Sequence, residues 1–173
     1  MMFRSAIIAS AAIFAMSTTA VAADAPTDPQ IAHIAYTAGS LDVAAGKQAL
    51  AKSHNKAVLD FANEMVRDHT AVNDQALALV KKLGVTPQDN PTSQALSKDA
   101  AAKLKTYSGL SGAAFDKAYA MNEVAYHKTV NGALANTLIP NAKNAELKSL
   151  LETGLKLFKE HQMHAEHLVS TLK

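Results

Sequence analysis

The chain has 173 residues, enough for one domain, and is rich in Ala, Leu and Lys, with 7 Gly, 5 Pro and no Trp. A formal net charge of +2 is too small to argue for a nucleic-acid partner or an anionic membrane surface. There is no cysteine, which excludes disulfides, zinc–thiolate sites, iron–sulfur clusters and thiol nucleophiles; any metal site must use imidazole and carboxylate.

The first segment reads as a targeting signal. Arg4 supplies the positive charge, an apolar stretch runs from Ser5 to Met16, and small residues follow up to Ala23. This is the pattern of a secretory signal peptide over residues 1–23, cut near Ala22 to Asp24. Residues 24–173 then form the mature domain. The apolar core is too short to span a membrane, and no later stretch reaches about 18 apolar residues. No cysteine follows the signal to carry a lipid anchor. The expected location is the periplasm or the cell exterior.

Strand-favouring residues are scarce, and strong helix formers dominate. A first helix is expected from Pro29 to Ser53, with Asp28 as its cap and Pro29 in its first turn. Ser53, His54 and Asn55 make a tight break. The second helix runs from Lys56 to Leu83 and stops at Gly84. Residues 85–96, with Pro87 and Pro91, read as a loop. A short helical piece follows from Ser97 to Thr106. A third long helix is expected from Ser111 to Leu138, with a turn at Ile139, Pro140 and Asn141. The fourth runs from Ala142 to Leu172. Two hairpins joined by a long crossover containing a short extra helix describe an all-α, ferritin-like four-helix bundle. Helices of about 25 residues are roughly 38 Å long, so the crossover can return the chain to the far end.

Helical wheels place ionisable groups on faces that should be buried. Asp42 falls within the stripe of Ile31, Ile34, Ala35, Ala38, Ala45 and Ala49. His69 is central to the stripe of Val58, Phe61, Ala62, Met65, Val72, Ala76 and Leu79. His161 lies in that of Leu147, Leu151, Phe158, Ala165 and Leu168. On the third long helix Asp116, Glu123 and His127 run along one edge of the face formed by Phe115, Tyr119, Asn122, Tyr126 and Val130. Asp42, His69 and Glu123 lie near mid-helix, and His127 and His161 about one turn further along, so these five can converge.

Burying such groups unpaired costs several kcal/mol. Two arrangements meet that cost. One is a buried hydrogen-bond network closed by tyrosines. The other is a metal site for iron, manganese, zinc or copper, with Asp42, His69, Glu123, His127 and His161 as ligands and Asp68 and Asp116 orienting imidazoles. A standard di-iron set is missing. Glu64 has Arg67 three residues on, and Glu123 and His127 are four apart, so neither makes the Glu-x-x-His pair. His161, His164 and His167 do not share a face, and His33 and His54 read as solvated. No nucleophile elbow and no phosphate-binding Gly loop occur, so no catalytic residue is assigned.

The stretch from Phe61 to His69, the run from Gly112 through Phe115 and Asp116 to Tyr119, His127, and the final helix around His161 and Ala165 resemble a widespread family of exported bacterial proteins. That family is grouped under a domain of unknown function, is often labelled outer-membrane protein, and is considered ferritin-like. The resemblance spans about residues 29–172. Its pattern carries Glu where this chain has Asp42, then Gly at Gly46. It also includes an Asp–His pair matching Asp68 and His69, an Asp matching Asp116, and two His matching His127 and His161. The resemblance implies a ferritin-like fold and an envelope location, and no established reaction. Nothing in the chain reads as a membrane span or a barrel. The partners compatible with this reading are a metal ion and, since the low charge and polar surface allow either a monomer or a homodimer, a second copy of the chain. The function expected is metal binding or an envelope-stress role, with a metal-free interaction module and an oxidative metalloenzyme as the alternatives.

Overall fold

The computed structural model describes residues 25–172, and among these the secondary structure is helical with no strand. The leader expected over residues 1–23 lies outside them. Helix α1 (Asp28–Lys52) starts after Thr27, whose backbone N–H donates to the Gln30 side chain at 3.0 Å. Asp28, expected as the cap, has another task. Its carboxylate accepts the N–H groups of Lys143 and Asn144 at 2.8 Å each, which ties the start of α1 to the start of the last helix.

Helix α2 (Lys56–Leu83) is capped by Asn55 and ends at Gly84 in the left-handed conformation, φ 63°, both as its turn residues dictate. Helix α3 (Pro91–Ser108) is longer than the expected piece from Ser97 to Thr106. Pro91 does not break it but begins it, where its missing N–H costs nothing, and the Asn90 side chain caps the Ser93 N–H at 3.0 Å. Helix α4 (Gly112–Ala133) passes without interruption into a π-helical segment (Leu134–Leu138) and a short turn of helix, α5 (Ile139–Asn141). There is no turn at Pro140 of the kind the sequence predicts. The helix instead widens ahead of the proline, whose ring would crowd the carbonyl four residues back. Helix α6 (Ala145–Thr171) starts three residues later than expected, because Asn144 caps it by accepting from Glu146 and Leu147.

Contacts between helices give their directions. Three residues join α1 and α2, which pack along each other. Helix α3 runs parallel to α1 on its outer side, since His33 meets Ser93, Gln48 donates to Leu104 O, and Lys52 donates to Ser108 O. It carries the chain back, so α4 runs antiparallel to α1, with Tyr126 donating to Ala38 O. Helix α6 is antiparallel to α4, where Asn131 donates to Phe158 O, and to α2, where Lys82 pairs with Glu146. Thus α2 and α4 point the same way.

The apolar core is in two parts. Phe61, Met65, Phe115, Tyr119, Ala165 and Leu168 belong to one. Ile31, Ile34, Leu134, Leu138, Leu147, Leu151 and Phe158 belong to the other. Between them, at mid-helix, the core is polar: Asp42, His69, Glu123, His127 and His161 are each at most 2% exposed.

Candidate metal centre

Each of the four long helices sends side chains into the polar layer: Asp42 from α1, His69 from α2, Glu123 and His127 from α4, and His161 from α6. Two buried glycines flank Asp42 on its own face of α1. A Cβ at Gly39 would stand 2.3 Å from Asn73 Oδ1, and one at Gly46 would stand 2.9 Å from Val66 Cγ2 and 3.2 Å from Ala62 O. The absent side chains let α1 approach α2 closely. That approach lets the short Asp42 carboxylate reach the imidazole of α2.

Asp42 Oδ2 lies 3.2 Å from His69 Nε2 and 3.5 Å from His127 Nε2, and the two nitrogens are 3.4 Å apart. These edges make a nearly equilateral triangle. The point equidistant from its corners is about 1.9 Å from each, close to the roughly 2.0–2.2 Å of zinc bonds to imidazole and carboxylate. His127 Nδ1 faces its own helix, 3.0 Å from Glu123 O and 3.6 Å from Glu123 Oε2. A carbonyl oxygen only accepts, so Nδ1 carries the proton and Nε2 keeps its lone pair toward the triangle. His161 Nε2 donates to Asp68 Oδ2 at 3.1 Å, which leaves Nδ1 as its lone-pair nitrogen. The three imidazole rings stand 5.3–5.6 Å apart, and His69 stacks on Phe158 at 4.5 Å.

The layer is short of hydrogen bonds. Both oxygens of Asp42, both of Glu123, Nδ1 of His69 and Nδ1 of His161 are buried without a hydrogen-bond partner. The Asp42–His69 approach is close, but it is not aligned as a hydrogen bond. Burial pushes the Asp42 carboxyl up to about 7, partly opposed by the adjacent Glu123. Burial, then the charge of Asp42, holds Glu123 well above the carboxylate range. Burial takes His127 down to about 4 and His69 well below its ordinary value, so both rings are neutral near pH 7. The site therefore offers neutral imidazoles and carboxyl groups that await either a proton or a cation.

A cavity of about 800 Å³ reaches this layer, with Asp42, His69 and His127 among its lining residues. On the other flank a half-exposed group of Glu64 and Asp68 meets His161. There Arg67 grips Asp68 at 2.6 and 3.0 Å, and His164 pairs with Glu64 at 2.6 Å. Arg67 lowers the Asp68 pKa, with His161 adding to the effect.

The five expected ligands do come together, as two linked groups rather than around one point. His69, His127 and His161 form one, and Asp42, Glu123 and His127 the other, each with ligand atoms within 4.8 Å. Asp68, expected to orient an imidazole, lies against that of His161, its Oδ2 3.1 Å from Nε2. Asp116 is buried, belongs to neither group, and its Oδ1 has no hydrogen-bond partner among the described residues. The wheel of α4 needs rotation: Asp116, Glu123 and His127 are buried on its face, while Asn122, Tyr126 and Val130 are half-buried at the edge. The Tyr126 hydroxyl reaching Ala38 O explains that edge position. His33 is not solvated, because its Nδ1 meets Ser93 Oγ at 3.0 Å under α3. Sequence reasoning misses Glu64 as a neighbour of the site; its spacing of four from Asp68, facing His161 and His164, is the available signal.

The model of a family described as "Domain of unknown function (DUF4142)" matches residues 14–168. No curated protein and no solved structure matches the chain.

Proposed function

The chain belongs to the DUF4142 family, a domain of unknown function, and from that premise we propose that it is an exported metal-binding protein with a ferritin-like four-helix bundle. Asp42, His69 and His127 are the ligands, with Glu123 and His161 beside them in the two linked groups and not around the same point. Asp68 orients His161. The cation is a transition metal: iron, manganese, zinc or copper. The observation that carries this reading is the triangle of Asp42 Oδ2, His69 Nε2 and His127 Nε2, with edges of 3.2, 3.4 and 3.5 Å.

The rival reading, a buried network without metal, asks that buried polar atoms satisfy one another. Four carboxylate oxygens and two imidazole nitrogens in this layer do not. One divalent cation compensates the carboxylates and takes the Nε2 lone pairs of His69 and His127, which puts the His69 proton on Nδ1. The helix directions, with α2 and α4 parallel and joined by α3 as a crossover, support the ferritin-like layout. The set of one Asp, one Glu and three His is not the Glu-x-x-His pair of di-iron bundles, so an iron-storage role is not proposed.

Export to the periplasm or beyond rests on the signal-like residues 1–23 and is checked by cell fractionation. No helix among the described residues is long and apolar enough to cross a membrane. The test of the function is elemental analysis of protein purified without a histidine tag. The expected result is one equivalent of transition metal in the wild type and a small fraction of that in His69→Ala. Equal metal content in both would sink the assignment.

A further inference from the structure

The cavity of about 800 Å³ falls within the range of small-molecule sites, roughly 300–1,000 Å³. It lies among α1, the C-terminal half of α2, the π-helical segment and the first half of α6. Ala35, Val72, Ala76, Val130 and Leu151 are on its walls, and Pro26, Pro91 and Asn141, at helix ends, also line it. Beyond Asn73 no residue of α2 is buried. Val72, Ala76 and Val80 nonetheless continue an apolar stripe at helical spacing; all three line this cavity, and Val72 and Val80 also pack against the apolar core beside it.

The carboxylate and imidazole groups of the wall are at the inner end, while uncharged polar side chains such as Gln30, Asn90, Thr129, Asn136 and Asn141 line it elsewhere. Asp42, His69 and His127 line the cavity, whereas Glu123 and His161 do not. Three ligands on one side of a cation leave a coordination position open toward the apolar space. Without a cation, the inner end of the cavity offers an anionic head group no positive charge. With a divalent cation, a carboxylate becomes the fitting further ligand.

We infer that this cavity binds a monocarboxylate with an apolar chain, the chain lying along α2 and the head group on the cation held by Asp42, His69 and His127. The inference rests on the metal reading and adds the class of ligand that the metal takes.

Calorimetric titration tests it, with zinc and dodecanoate as probes. Zinc is titrated first into the demetallated protein, so failure of the metal reading is seen before any dodecanoate is added. Dodecanoate should then bind the zinc-loaded protein at least roughly tenfold more tightly than the demetallated protein. Ala76→Phe, placed in the cavity two turns from His69, should weaken dodecanoate at least roughly tenfold and leave zinc affinity unchanged. Ala133→Phe, on the opposite wall, serves the same purpose if Ala76→Phe does not fold by circular dichroism. Zinc binding without dodecanoate binding overturns this inference and spares the metal reading. Equal dodecanoate affinity with and without zinc also overturns it, as does indifference to both cavity variants. A concentration-dependent dimer that excludes dodecanoate overturns it in favour of a second copy covering the mouth.

Discussion

Replacing Asp42 with Asn separates two accounts of the buried layer. If the layer is a metal site, the metal-free protein has neutral imidazoles and a carboxyl group that burial holds on to its proton. The Asp42 pKa is raised from 3.8 to about 7 in the folded state. Its contribution is fully favourable below the unfolded value and is lost as pH rises through about 7. At about 1.4 kcal/mol per pKa unit, ionising this side chain in place costs on the order of 4 kcal/mol. Asn has the same shape and no charge. In demetallated protein, Asp42→Asn should therefore match the wild type near pH 4 and be more stable by about 2–4 kcal/mol at pH 8. It should also lose metal affinity. Urea denaturation of chelator-treated protein at the two pH values reads the difference. The opposite account has Asp42⁻ paired with a protonated His69, 3.2 Å away. Breaking a buried pair by removing one partner costs about 3–5 kcal/mol. Loss of stability of that size at pH 8 would refute the reasoning.

Three more expectations follow from the same geometry. His69 is held well below its ordinary 6.5 by burial, so its contribution is present above that value and lost as pH falls; His69→Leu should move acid unfolding of the metal-free protein to lower pH, followed by circular dichroism. Asp68→Asn keeps the shape but loses the charge on His161, 3.1 Å away, and should weaken metal binding about 10–100-fold by titration while stability changes little. Phe158→Ala removes the ring stacked on His69 and should cost about 3–5 kcal/mol in urea denaturation; a loss under about 1 kcal/mol would show that the apolar part near the cavity does not hold the layer in place.

Much of this arrangement is legible in the residues. Gly84, Asn55 and the break at Ser53–Asn55 mark real helix ends because capping chemistry is local. Asp42, His69 and His161 stand out because a charged or polar group within an apolar stripe breaks the helical period. Pro91 and Pro140 mislead for a shared reason. The same ring that ends one helix can open the next or be absorbed by a widened turn, and only the neighbouring caps and carbonyls decide which. The face of α4 is mis-phased because Tyr126 and Val130 look like core residues, while burial is set by where α1 and α6 pack. The closeness of Asp42 to His69 depends on Gly39 and Gly46 admitting α2, which is a matter of helix separation and not of periodicity. The cavity has no sequence signal, since Val72, Ala76 and Val80 would read the same against a packed helix.

Whether Asp42, His69 and His127 hold one cation is tested most directly by X-ray absorption spectroscopy of the protein loaded with one equivalent of zinc. The expected spectrum has a first shell of nitrogen and oxygen at about 2.0–2.2 Å, with imidazole backscattering that drops by half in His69→Ala. Zinc that stays hydrated, with no imidazole signature, or a spectrum unchanged by His69→Ala, would contradict it.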